Sequence, residues 1–219
     1  HQSFDAVSLS NTSIKDLKLS YAYINKVNTI FGDDLTAGLI DDGVIDMNSH
    51  LFNVQYSGLS IGKLEAYSYL LDYEDAAKDN PNSTATYGLR LSGAKPINDS
   101  VTAVYTAEYA TQHDYADGKM DPQDYYLVEL GGKYQGWLAK LSYEVQEGDG
   151  TYSFKTPLGT NHAFQGWADV FLTTPNAGLI DTYFTVVGNV AGAKLIAVYH
   201  DFETDKGSLD AGNEFDVML

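Results

Sequence analysis

Cysteine is absent from the 219 residues, which removes both a disulfide framework and a thiolate metal site. Proline is scarce at 5, and arginine occurs once, at Arg90. With 13 basic against 30 acidic residues the formal charge is -17, so no nucleic-acid partner is expected: phosphate binding needs clustered Lys and Arg. No run of about eighteen apolar residues occurs, so there is no transmembrane helix. A membrane-spanning strand is only half apolar, and a mean hydropathy of -0.24 does not argue against one. Catalytic signatures are missing too. The histidines (His1, His50, His113, His162, His200) show neither HExxH nor a paired-ligand spacing, and there is no GxSxG and no phosphate loop. The nearest acid–base candidate, His162 with Asp169, suits a loop hydrogen bond equally well. Neither an enzyme, a cofactor nor a metal site is expected. The chain opens at His1 without an initiator Met, a basic n-region or an apolar h-region, as expected of a processed chain or a piece of a longer one.

What the chain does hold is tyrosine, 17 of them, and a period of two. In the run from Trp137, the residues Trp137, Ala139, Leu141, Tyr143 and Val145 share one face, and Leu138, Lys140, Ser142, Glu144 and Gln146 the other. Before it, Tyr126, Val128 and Leu130 oppose Tyr125, Leu127 and Glu129, and the stretch Gly131 to Gly136 is read as the hairpin connection. Side chains of a strand alternate between faces, so one face is apolar and one polar. A soluble sandwich turns the apolar face inward against a second sheet. An outer-membrane barrel turns it outward to lipid and lines a wet interior with the polar face.

The rest of the chain favours the barrel. Roughly eleven antiparallel strands can be marked, the first around Val7 and Leu9 and the last beginning at Phe215. Their connections alternate short and long, the layout of an up-and-down transmembrane β-barrel. Strand lengths match the ~9–11 residues that cross a bilayer at a tilt. The strand Lys63 to Tyr73 is ambiguous in facing, because Leu64, Ala66, Ser68 and Leu70 form one row and Glu65, Tyr67, Tyr69 and Leu71 the other. Bacterial barrels close with an even strand number, so residues 1–219 are expected to form one barrel domain that is incomplete at both ends.

Certain words of the sequence are specific. The runs FDAVSLSNTS (Phe4 to Ser13), LSYAYINKVNTIFG (Leu19 to Gly32), DYYLVELGGKY (Asp124 to Tyr134), TPLGTNHAFQGWADVFLTTPNAGLIDTYF (Thr156 to Phe184) and AGAKLIAVYHDF (Ala191 to Phe202) resemble the alginate-export-like family of outer-membrane barrels. The resemblance covers nearly the whole chain and implies a porin-type barrel in the outer membrane of a Gram-negative bacterium. Lipid and lipopolysaccharide would surround it. It does not imply alginate, because the family's dedicated exporter has an Arg- and Lys-rich lumen and this chain has one Arg.

With the apolar rows facing lipid, the pore-lining charges would be Lys18, Arg90, Glu108, Glu129, Lys140, Glu144 and Lys194. Their signs nearly balance, which predicts weak selectivity. Within the long connection 147–179, the spacing of Ala163, Trp167, Val170 and Phe171 predicts a short amphipathic helix, with Asn161 as N-cap and Pro175 as stop. Such a segment, carrying His162, Trp167, Asp169 and Phe171, would fold inward and narrow the lumen. The alternative is a loop packed over the rim, with Trp167 and Phe171 as its local core. The acidic loop residues Asp114, Asp117, Asp121 and Asp124 lack the closing Glu of a calcium loop, so a solvated loop is expected over a calcium site. The expected function is passive diffusion of small hydrophilic solutes through a channel, alone or as a homo-oligomer. The alternatives are a sheath or docking barrel for another outer-membrane component and a soluble carbohydrate-binding sandwich.

Overall fold

The computed structural model describes residues 2–29, 43–74, 81–159, 162 and 164–219. Among them lie eleven strands and no α-helix: β1 (Ser3–Asn11), β2 (Leu17–Asn28), β3 (Val44–Leu59), β4 (Gly62–Leu71), β5 (Thr84–Pro96), β6 (Val101–Asp114), β7 (Gln123–Tyr134), β8 (Trp137–Gln146), β9 (Leu179–Val190), β10 (Ala193–Glu203) and β11 (Asp210–Met218). They follow one another in a single sheet, in chain order from β1 to β11. Neighbours such as β7 and β8, or β9 and β10, pair antiparallel. The connections alternate as the sequence predicts, with the tight β7–β8 and β9–β10 turns separated by the long segment 147–178.

Turn chemistry fixes these hairpins. Gln135 and Gly136 have φ of 46° and 84°, and Ala191 and Gly192 have 52° and 88°. Two consecutive positive φ values define the type I′ turn, whose twist matches that of the flanking strands. The β7–β8 turn is therefore shorter than the sequence suggests, because Gly131 and Gly132 are paired within the ladder, opposite Lys140 and Ala139. At Gly131 the Lys140 side chain and the Ala139 carbonyl occupy the place of a Cβ, so this glycine serves close packing, not chain reversal. β3 already begins at Val44, and Asp46 pairs with Lys26 at 3.0 Å, whereas Asp33, Asp34, Asp41 and Asp42 fall outside the described residues. Asp75 and Asp79 do so as well.

The chain divides into two compact units: His1–Ser57 with Glu65–Gly88 and Gln112–Pro122, and Gly58–Leu64 with Leu89–Thr111 and Gln123–Leu219. In the first unit Leu19, Phe52, Val54 and Tyr56 are exposed, while Ser49, Thr84, Thr86 and Gln112 are buried. Asn53 donates to Glu65 at 2.8 Å, which settles the ambiguous strand: Glu65, Tyr67, Tyr69 and Leu71 lie on the polar side of β4. The Tyr67 ring covers Gly88, where any Cβ would collide with it.

In the second unit the inversion is stronger along the middle of the strands, although Val145, Leu127, Leu179 and Phe202 are buried toward the long-loop end. Leu130 is 64 % exposed, Leu141 57 % and Phe215 69 %, whereas Ser142 is 0 % and Asp181 1 % exposed. Val128, Leu130, Leu141 and Phe184 together present roughly 400 Å² of apolar surface, which water would penalise by about 10 kcal/mol at ~25 cal/mol per Å². Soluble monomers rarely leave contiguous patches larger than a few hundred Å². A hydrocarbon surround removes that penalty. Aromatics bound the apolar row at both ends: Tyr126 and Tyr134 stand at opposite ends of β7, about 27 Å apart along a strand. At a tilt of ~40° that is about 21 Å of height, close to the ~25 Å apolar band of a barrel wall.

Candidate functional site

The polar rows of β5 to β11 in the second unit meet as a continuous set of hydrogen-bonded charges. Arg90 Nη1 donates to Glu108 Oε2 at 2.5 Å, across β5 and β6. On the next strands Glu129 accepts from the Lys140 ammonium, from Ser142 Oγ at 3.0 Å and from Thr106. Glu144 accepts from Tyr125 Oη at 3.0 Å. The period-two register brings these side chains to one face: Glu129 stands opposite Ser142, and Leu127 opposite Glu144. Opposite charges on neighbouring strands satisfy one another across such a wall.

Five of the seven sequence-predicted pore residues therefore gather here: Arg90, Glu108, Glu129, Lys140 and Glu144. Lys18 belongs to the first unit, exposed opposite Gln55, and Lys194 is exposed beside the β9–β10 turn opposite Asn189. The structure adds a group that the sequence reading missed. His200 Nδ1 lies 2.9 Å from Asp181 Oδ2, and its Nε2 lies 3.7 Å from Asp216 Oδ2. All three are buried, and His200 stacks between Tyr183 and Phe202. Glu214 completes this end of the face. With Asp181, Glu214 and Asp216 included, carboxyl groups outnumber the cations Arg90 and Lys140 on this face. Among the described residues no group of three or more acidic or histidine side chains is placed to hold a metal ion.

The segment 147–178 lies against this polar face. The predicted helix is not there: Gln165, Gly166 and Asp169 have φ of 53°, 86° and 60°, and the described residues of the segment form turns and bends. Asn161 and Ala163 fall outside the described residues. Phe171 nonetheless packs on Phe202 at a centroid distance of 4.8 Å, and Trp167 is half-buried. His162 and Asp169 form a hydrogen bond of 2.7 Å, well exposed to solvent, as expected of a loop contact. Gln165 Nε2 donates to Glu144 Oε1 at 3.1 Å, and Thr174 Oγ1 to Gln146 Oε1 at 2.6 Å.

The feet of the segment are fastened separately. Asp149 accepts the backbone N–H groups of Thr151 and Tyr152 at 2.6 and 2.8 Å, and these donors hold its carboxyl below the ordinary carboxylate range. Lys206 donates to the Asp149 carbonyl, and Asp205 accepts from the Gly148 N–H at 3.2 Å. Burial lowers the Lys155 ammonium below its usual value. In the first unit, Asp72 is raised above the usual range by burial and by the nearby charge of Asp117.

A single sheet of antiparallel strands with an exposed apolar row, a buried polar row and a loop laid on the polar side is the arrangement of a β-barrel wall. Solved porins bear this out at the level of the fold. The chain matches Acinetobacter baumannii OccAB2 with a TM-score of 0.69 at 18% identity, covering 99% of this chain and 55% of that one. It matches Pseudomonas aeruginosa OccK11 (OpdR) with a TM-score of 0.68 at 16% identity, covering 99% and 58%. P. aeruginosa OpdK, solved with vanillate, matches at 0.67 and 10% identity, covering 99% and 57%. The chain thus spans a little over half the length of the porins it resembles. No family model matches the sequence, and no curated protein does.

Proposed function

We propose that this chain forms part of the wall of an outer-membrane channel through which small hydrophilic solutes diffuse passively, and that it is not an enzyme. The observation that carries the reading is the inversion of burial, with Leu130 and Leu141 exposed while Ser142, Glu144 and Asp181 are buried. Lipid and lipopolysaccharide surround the apolar rows, and water fills the space beside the polar ones. Selectivity follows from the lumen's width and charge. Arg90 and Lys140 are neutralised by Glu108 and Glu129, while Asp181 and Asp216 share His200 and Glu144 accepts from the neutral Tyr125 and Gln165, so passage favours cations modestly. The segment 147–178 narrows the lumen. Support for this comes from Gln165, Thr174 and Phe171, which hold it against the polar face.

The kinship with alginate-export-like barrels is part of the same proposal, and it concerns architecture, not solute. Planar-bilayer recording of the full-length protein tests the channel reading. Ohmic conductance, a mild cation-selective reversal potential and a larger conductance after deletion of residues 166–173 are expected. Absence of conductance would favour a sheath or docking barrel for another outer-membrane component, and strong anion selectivity would contradict the charge assignment. Cross-linking in the native membrane decides between a monomer and a homo-oligomer.

A further inference from the structure

We propose that Glu214 is a positioning residue which, with Asp216 and Glu144, latches the turn Gln165–Ala168 onto the channel wall, making it a fastened constriction instead of a free loop. The inference rests on the channel reading above and assigns the residues that set its narrowest state.

The geometry begins in the backbone. Gln165 and Gly166 both have positive φ, 53° and 86°, and this pair of left-handed residues turns the N–H groups that follow toward β11. Ala168 N–H donates to Glu214 Oε1 at 2.7 Å, a bond between residues 46 apart in sequence. The Trp167 backbone lies beside the Asp216 carboxylate, which shares the polar face of β11 with Glu214. The buried Gln165 side chain reaches Glu144 on β8. Two carboxylates on two strands, Glu214 and Glu144, thus accept from the two ends of the turn with Asp216 beside them, and hydrogen bonds to charged acceptors are the strong ones. Gly166 is required twice over, for its φ and because the Glu214 carboxylate fills the space of a Cβ, with Cδ at 2.6 Å and Oε1 at 2.9 Å. Around the turn the apolar side chains Phe164, Val170 and Leu172 are exposed, so hydrophobic burial of those three does not hold it down. Phe171 on Phe202 and Thr174 on Gln146 fasten the chain beyond it.

The test pairs hydrogen exchange of the full-length protein in lipid vesicles with single-channel recording. In the wild type the Trp167 and Ala168 amides are protected. In Glu214→Ala they exchange about 10- to 100-fold faster, the loss expected for one charge-assisted bond, while the amides of β7 to β10 are unchanged. Glu214→Gln, which keeps an acceptor oxygen in place, restores most of the protection, whereas Glu214→Leu, which fills similar space without an acceptor, does not. Glu214→Ala also shows higher or fluctuating conductance. Gly166→Ala, which drives a methyl into the carboxylate without removing it, loosens the same amides and provides a second variant should Glu214→Ala fail to fold. Equal exchange in wild type and Glu214→Ala, or acceleration spread evenly over β7 to β11, overturns the latch. A wild type that conducts nothing yet shows the localised exchange pattern would sink the channel reading and leave the latch standing.

Discussion

Arginine in place of Leu141 distinguishes a lipid-facing wall from a water-facing one by a measurable energy. Leu141 lies on the apolar row of β8, more than half exposed, between Trp137 near the tight turn and Tyr143 toward the long loop. Four residues at ~3.4 Å place it about 14 Å along the strand from Trp137. At a tilt of ~40° that is about 10 Å of depth, near the middle of a ~25 Å apolar band. An arginine at the bilayer midplane of a barrel costs about 2–4 kcal/mol, falling to about 0–1 kcal/mol near the interface. An exposed leucine on a soluble sheet would tolerate the same change within about 0.5 kcal/mol. Denaturant titration of the full-length protein in phospholipid vesicles should therefore show a large loss for Leu141→Arg and a small one for Ala139→Arg, one step nearer the turn. Losses near zero at both positions would mean that the row faces water, and the reasoning would fail.

Other consequences follow from the same wall. Arg90→Ala leaves the mostly buried Glu108 carboxylate without its cation, and should cost about 1–3 kcal/mol while moving the reversal potential toward stronger cation preference. Gly188→Ala sets a methyl into the Trp137 ring that covers it, and should cost about 1–3 kcal/mol in vesicle unfolding, mostly recovered by Trp137→Leu in the same chain. The Asp149 carboxyl is held below its ordinary value by the Tyr152 and Thr151 N–H groups, so its contribution to the loop foot is complete above an ordinary carboxylate value of about 4 and is lost as pH falls through the lower native value. Pepsin nicking of residues 149–155 should rise across that acid range in the wild type and be present throughout it in Asp149→Ala, which has no acceptor for the two N–H groups.

Which parts of this architecture the sequence carried depends on how local the determining physics is. The alternation Leu141, Ser142, Tyr143, Glu144 is legible because a strand's facing repeats every second residue, and the exposures follow it without exception over those four. The turn at Ala191–Gly192 is equally local. Gly131 and Gly132 misled because glycine marks a reversal and a close approach alike, and only the position of Lys140 distinguishes them. The rows of β4 could not be assigned until Asn53 was seen to reach Glu65 from another strand. The helix expected around Trp167 had the right spacing of apolar residues, but left-handed Gln165 and Gly166 break the repeat and the contacts that fix the segment come from β8, β10 and β11. The Asp181, His200 and Asp216 group stands on three strands, adjacent only through their register, and no periodicity in one strand reveals it.

The central claim is that the greasy rows look at acyl chains and the charged rows at water. Spin labels placed singly from position 138 to 144 on β8, in vesicles of the full-length protein, measure this through collision with oxygen dissolved in lipid and with a water-soluble nickel chelate. The account predicts an alternation, oxygen reaching 139, 141 and 143 and nickel reaching 138 and 140, with the buried 142 and 144 shielded from oxygen in lipid. The opposite phase, or nickel reaching both rows equally, would contradict it.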